Sequence, residues 1–202
     1  MKSIVIIGAS GHGKVVADIA KNMGYEKIIF LDDRKTGVVG KYEIAGTSAL
    51  ADDFDADFFV AIGNASVRKR IMLELQKKGK NLPVLIHPSA VIAEDAKIGE
   101  GTVVAAGAVV NPGVVIGKGS IINTCASVDH DCFIGDYNHI SVGVHIAGTV
   151  TIGDNVWVGA GATVSNNVSI CTDALVGAGA VVVKDIVKAG TYIGVPARLM
   201  EK

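Results

Sequence analysis

Ile98-Gly99-Glu100-Gly101-Thr102-Val103 is followed without a gap by Val104-Ala105-Ala106-Gly107-Ala108-Val109 and then by Val110-Asn111-Pro112-Gly113-Val114-Val115. The frame extends far beyond these three units. From Ile86 to Val187 an Ile or Val opens every sixth position, seventeen times in succession. Four residues after each opening stands a small or modest side chain, from Ala90, Ala96 and Thr102 through Cys132 and Asn138 to Ala180, with Ile186 closing the series. Neither the helical period of about 3.6 nor simple strand alternation yields so strict a six-residue period. Gly or Asn in bodies such as Ile152-Gly153-Asp154-Asn155-Val156 marks where the chain turns.

Three units make a coil of about eighteen residues, and stacked coils place the Ile/Val column and the small-residue column in a narrow interior. At a coil spacing of about 4.8 Å, five to six coils give a prism roughly 25 Å long. The expected fold is therefore a parallel β-helix. Its hexapeptide form resembles the left-handed β-helix of acyltransferases, and the handedness comes from that resemblance, since the period alone does not set it.

The repeat occupies about half of the 202 residues and leaves room for a second, N-terminal domain. Half of the residues are hydrophobic, yet Gly, Asn and Asp interrupt every stretch before the roughly 18 apolar residues a membrane span needs. Ile4–Ile7 is too short for the core of a secretion signal, so a cytoplasmic protein is expected. A net charge of −1 with no basic stripe argues against nucleic acid as the main partner. Three Cys without metal-site spacing are read as reduced and structural.

Residues 1–82 carry a different pattern. Ser3–Ile7 suits a buried parallel strand, and Val15–Met23 shows helical spacing ended by Gly24. Lys27–Leu31 reads as a second strand closed by Asp32-Asp33, and Asp57–Ile62 as another closed by Gly63-Asn64. A helix over residues 65–78 would place Val67, Ile71, Leu73 and Leu75 partly on one face. Such alternation means βαβ units in a small Rossmann-like parallel sheet. Pro83 and Pro88 mark the junction, so the β-helical domain is expected over residues 83–202, with Tyr192–Arg198 forming a cap.

Gly8-Ala9-Ser10-Gly11-His12-Gly13-Lys14 lies between a strand and a helix, where backbone N–H groups and a helix N-terminus make an anion site. The loop fits a P-loop except that Val15 stands where the Mg²⁺-holding Ser or Thr belongs. Its Gly8-x-x-Gly11-x-Gly13 order also departs from the dinucleotide fingerprint. A phosphate cradle for another nucleotide ligand is the third reading. Asp32, Asp33 and Asn64 fall where an open α/β sheet places ribose or base contacts.

Within the repeat, Ser127-Val128-Asp129-His130-Asp131-Cys132 breaks the apolar character. His130 is the third residue of its hexad, pointing outward, and a flanking carboxylate can fix the tautomer of such a general base. Which of Asp129 and Asp131 does so stays open, since adjacent residues on a flat strand point apart. His139 and His145 are six apart and fall on successive faces, so one subunit cannot gather His130, His139 and His145 on a metal. A three-His zinc site would have to be shared between subunits, and no metal is expected.

Taken together, Gly-x-Ser-Gly-His-Gly-Lys after a strand, Asp-Asp, Gly-Asn, the hexads with Ser-Val-Asp-His-Asp-Cys and the closing Gly-Val-Pro-Ala resemble the bacterial sugar acetyltransferases. That family comprises sialic acid O-acetyltransferases and UDP-4-amino-sugar N-acetyltransferases, and the likeness covers essentially the whole chain. It implies a homotrimer with acetyl-CoA lying along the solenoid between subunits and a nucleotide-sugar on the N-terminal domain. On matching residues it implies His130 as general base and Asp131 as its partner, where many relatives carry Glu. His139 and Gly148 would lie near the acetyl group and pantetheine arm, and Asn123 would face the sugar amine. Ser10, Gly11, His12 and Gly13 would hold the diphosphate, with Asp32, Asp33 and Asn64 near the uridine. Ala160 and Ala178 would let the CoA pack against the coils. The activity so implied is N-acetylation of a UDP-4-amino-4,6-dideoxy sugar. Sialic acid O-acetylation, a non-catalytic trimeric scaffold, and a nucleotide-dependent kinase or dehydrogenase are the alternatives.

Overall fold

The computed structural model describes residues 2–200. Its N-terminal part is built on β1 (Ser3–Ile7), α1 (Gly11–Asn22), β2 (Lys27–Leu31), β3 (Val38–Val39), β4 (Tyr42–Gly46), β5 (Asp57–Val60) and α2 (Ala65–Lys77). The sheet order is β3-β4-β2-β1-β5, parallel except for the β3 edge. The strands β1 and β5 read SIVII and DFFV, near-continuous apolar runs as expected where both sheet faces are covered. The hairpin β3–β4 and a 3₁₀ turn over Ser48–Asp53 fill a stretch with no clear sequence pattern. α1 starts four residues earlier than the apolar spacing predicts, at Gly11, so most of the glycine loop is its first turn.

Beyond Leu85 the chain forms seventeen two-residue strands, one per hexad, which fall into three parallel sheets. Each strand pairs with the one eighteen residues on, as in Ile122 with Ile140 and Ile140 with Val158. This is the expected hexapeptide β-helix, consistent with the left-handed form. The interior is a single column, mainly Val, Ile and Ala with Cys132 among them, running from Val104 to Ile186, and Ser120 and Asn138 are buried in its small-residue slots. Every hexad from Gly101 to Gly179 has its fourth residue at a φ between 55° and 73°. Seven of these fourteen positions carry non-Gly residues, among them Asp131, Tyr137 and Thr149, so the corner geometry is imposed by the stacked coils. The repeat breaks at the end, where Ile170 bridges Ile186, and a hairpin of Thr191–Ile193 with Arg198–Leu199 caps the last coil.

One face of the prism carries the N-terminal domain. Leu85, Val103 and Ile121 point outward from successive coils, yet they are buried in one cluster with Ile4, Ile6, Val16, Phe30 and Phe59. Higher on this docking face the same outward slot holds His139, Trp157 and Leu175. At its edge α2 packs through Ile71, Met72 and Leu75 beside Tyr137. Val67 and Leu73, expected on that apolar face, are exposed, and Arg68 and Met72 take their places. No helix among the described residues is long and apolar enough to cross a membrane.

Candidate active site

The N-terminal helices α1 and α2 both begin at the carboxyl edge of the sheet, and their N-termini flank a cleft of about 510 Å³. Ser10 caps α1 and Asn64 caps α2, its Oδ1 accepting from Val67 N–H at 3.0 Å. Two helix N-termini facing one cleft favour an anion there. Ser10, Asp32, Asp33 and Asn64 line the cleft as the sequence suggests, and Arg34 and Arg70 add two cations that it did not single out. The Asp32 carboxylate is fully engaged, accepting from the N–H groups of Ala9 (2.7 Å), Arg34 and Lys35 (both 2.9 Å). Partial burial works against its charge, but these backbone donors prevail and hold its pKa below the ordinary value. Asp33 accepts from Ser48 N–H at 2.8 Å, so both acids shape the loops as well as the cleft.

Gly11, His12 and Gly13 are off the cleft wall. Gly13 is required for packing, since a Cβ there would lie 2.2 Å from the Gly8 carbonyl oxygen, while Gly11 faces open space. His12, expected on a diphosphate, is instead half-buried at the junction with the β-helix, its enclosed Nε2 without a partner. Burial first, and the nearby Arg68 guanidinium second, push its pKa down to about 4. Starting the helix at Gly11 is what turns the ring inward.

A second cleft, of about 450 Å³, runs between Gly63–Ser66 and the docking face, lined by Tyr137, His139, Asn155, Trp157, Asp173 and Leu175. Gly63 and Asn64 line both clefts, which makes the two continuous. His139 is held on two sides here. Asn123 uses its Oδ1 on Thr124 N–H (2.8 Å), which turns its amide Nδ2 to donate to His139 Nε2 at 3.3 Å. Trp157 stacks on the imidazole at 5.6 Å and 4°, its indole N–H donating to Ser141 Oγ at 2.9 Å. Burial, then His12 and Arg68, lower the His139 pKa to about 4, leaving a neutral ring whose proton is on Nδ1. Trp157 was missed in the sequence. Its signal was a large aromatic in an outward slot of the repeat.

His130 stands on a different corner, exposed, with Nδ1 at 2.9 Å from Asp131 Oδ2. Asp131 is therefore the ring's partner. Asp129 serves the backbone, accepting from His130 N–H at 2.8 Å and from Asn111 Nδ2 at 2.7 Å. The hydrogen bond that Nδ1–H donates to Asp131 raises the His130 pKa, desolvation opposes it, and the charges of Asp129 and Asp131 add smaller contributions upward. With its proton toward the carboxylate, the ring presents Nε2 as base, and Nε2 lies over Gly148 on the next coil, 2.5 Å from where a Cβ would be. Ala147 precedes Gly148, so the Gly148 N–H has no such side chain to accept it, unlike the His130 N–H below it. Ala160 and Ala178 are stacked above Thr124 and Val142 on the corner that Asn123 opens, exposed and small.

The structure thus makes two groups: His130, Asp131 and Gly148 on one corner, and Asn123, His139 and Trp157 on and beside the docking face. His145 lies on the strand face between them, bonded to Ser127 Oγ at 2.8 Å. Among the described residues no cluster of three or more His, Cys, Asp or Glu side chains is arranged to hold a metal ion.

The family follows from comparison with known proteins. Residues 3–75 match the PglD N-terminal domain, and residues 83–112 and 149–184 match the bacterial transferase hexapeptide repeats. The chain belongs to this family of PglD-type hexapeptide-repeat acetyltransferases. Among its relatives is the acetyltransferase domain of PglB from Neisseria gonorrhoeae FA1090 in complex with acetyl coenzyme A, 42% identical with a TM-score of 0.97, the match covering 98% of this chain and 99% of that one. PerB from Caulobacter crescentus, in complex with CoA and GDP-perosamine, is 35% identical with a TM-score of 0.94 over 100% of this chain and 98% of that one. UDP-N-acetylbacillosamine N-acetyltransferase from Bacillus subtilis (strain 168) is 37% identical over 113 residues, 52% of this chain and 52%, about half, of the relative's length.

Proposed function

We propose that this chain transfers the acetyl group of acetyl-CoA to the 4-amino group of a UDP-4-amino-4,6-dideoxy sugar. Residues 1–82 bind the nucleotide-sugar, and residues 83–202 carry the transfer. The observation that carries this reading is the His130–Asp131 pair, whose free Nε2 lies against Gly148 of the next coil in a chain of this family. Acetyl-CoA and nucleotide-sugars are cytoplasmic metabolites, which supports a cytoplasmic location.

In this reading the diphosphate lies in the first cleft between the two helix N-termini, with Arg34 and Arg70 near its charge. The uridine lies beside Asp32, Asp33 and Asn64, and the sugar extends past Gly63 and Asn64 toward Asn123 and His139. The pantetheine arm runs over the small corners at Ala160 and Ala178 toward Gly148. The amine nitrogen attacks the thioester carbonyl while His130 Nε2 takes its proton, and Asp131 stabilises the imidazolium formed. The Gly148 N–H donates to the oxyanion. When the C–S bond breaks, the imidazolium proton goes to the leaving thiolate, which yields the amide and CoA and restores the base. Because His130 lies on a corner and His139 on the docking face, with the face of His145 between them, the site is completed where two copies meet, in a homotrimer.

The test is acetyl transfer, read as CoA release, across a panel of UDP- and GDP-linked 4-amino sugars and sialic acids. His130→Ala should lose about 10²–10⁴-fold in kcat while retaining assembly and acetyl-CoA binding. Absence of transfer to every nucleotide-amino sugar by the unmodified protein would overturn the reading.

A further inference from the structure

Arg68 is 1% exposed, and no carboxylate among the described residues pairs with it. Its guanidinium instead donates to five backbone carbonyls in two parts of the molecule. On the N-terminal side Nη1 reaches Ile62 O at 2.7 Å and Gly63 O at 2.9 Å. On the β-helix Nε reaches Gly119 O at 2.6 Å, and Nη2 reaches Tyr137 O at 2.7 Å and Asn138 O at 3.4 Å. Gly63 and Tyr137, one residue from each set, line the second cleft, whose walls carry Gly63–Ser66 on one side and Tyr137 and His139 on the other. Asn138 is itself fixed within the coil, its amide Nδ2 donating to Gly135 O and Gly153 O at 2.9 and 2.8 Å.

Burying an unpaired cation is costly, and packing alone would be served by an apolar residue in this slot. The planar fork can span two domains at fixed angles, which Lys cannot do with one point charge. We propose that Arg68 is a positioning residue: it sets the width of the cleft between the nucleotide pocket and His139, and so the alignment of a nucleotide-tethered amine with the acetyl group. This rests on the nucleotide-sugar reading above. Arg68 touches no reacting atom. It acts through Gly63 on the pocket side and through the backbone next to His139 on the other.

The experiment compares Arg68→Lys with the unmodified protein on two acceptors, the UDP-4-amino sugar and the same amino sugar free of nucleotide at high concentration. A tethered substrate depends on the alignment of the two domains, whereas a free one finds its own position. Arg68→Lys should lower kcat/KM for the UDP-linked acceptor by about 10- to 100-fold, the scale of a misplacement of about 1 Å. It should change turnover of the free sugar less than twofold and leave the KM for acetyl-CoA unaltered. Equal losses on both acceptors, or none on either, would overturn the proposal in favour of a purely structural clamp. Should Arg68→Lys not fold, Arg68→Gln, which keeps donors within reach of one domain, carries the same comparison. If neither variant folds, the residue is a folding clamp and the proposal is lost. An unmodified protein that acetylates no nucleotide-sugar would instead overturn the functional reading itself.

Discussion

His130 and Asp131 are neighbours in sequence, and on a flat strand their side chains would point apart. They meet because Asp131 sits at a corner with φ 58°, which swings its carboxylate back onto Nδ1. The carboxylate raises the His130 pKa, and a base works only when unprotonated, so activity should fall on the acid side of that raised value. Asp131→Asn removes the charge, lowers the His130 pKa, and should move the acid limb of the kcat/KM profile to lower pH. Its plateau should also drop, by no more than the ~10²–10⁴-fold that a positioned base supplies. A limb that stays in place would mean that Asp131 does not govern the ring. Gly148 makes a second residue-scale prediction. A Cβ there would lie 2.5 Å from Nε2, so Gly148→Ala must displace the imidazole. The ring is exposed and free to swing out, so thermal stability should change by less than about 0.5 kcal/mol. Acetyl transfer should fall about 10²-fold, and kinetics beside a thermal melt would check both.

At the scale of elements, the hexad frame was readable because the interior of a solenoid repeats the same packing problem at every coil. The outward slots carry no such constraint, so the period does not mark Leu85, Val103 and Ile121 as the residues buried against α1 and the sheet. The same holds for α2, where Arg68 shares the buried stripe of Ile71, Met72 and Leu75. An Arg within an apolar stripe at helical spacing was the available signal, outweighed by the usual exposure of Arg. The hairpin β3–β4 was not legible because β3 has only two residues and β4 carries a single strongly apolar aliphatic, Ile44, before Ala45 and Gly46. His12 was misplaced for a related reason: the glycines suggested an open loop, whereas Gly13 is a packing requirement inside α1. The junction that results has a pH signature. His12 and His139 have pKa values of about 4 in the fold and near 6.5 when unfolded, so both are neutral in either state above pH 6.5. As pH falls from 6.5 toward 4 the unfolded chain takes up protons that the folded one refuses. Stability should therefore fall over that window, by about 1–3 kcal/mol for each histidine. Urea midpoints between pH 7 and 4.5 would show it, and His12→Gln should flatten the slope.

For the whole molecule, the six-residue period assigns the candidate residues to coils but carries no information on which of them share a site. The coil register puts His130 on one corner of the prism and His139, with Asn123, at the opposite end of the intervening strand face. The two clefts join His139 to the nucleotide side of its own chain through Gly63 and Asn64. His130 has no such neighbour within its own chain, so the proposed trimer must bring it to the His139 of another copy. Subunit mixing tests this directly. His130→Ala and His139→Ala chains should each be nearly inactive alone. Co-expressed and randomly assembled in a closed ring, a site needs an intact His130 from one chain and an intact His139 from the next, so about a quarter of the sites should be complete. Recovery of about that share of the unmodified activity would place the two histidines in one shared site. If both residues served a site within a single chain, every chain in the mixture would lack one of them, and no activity would return.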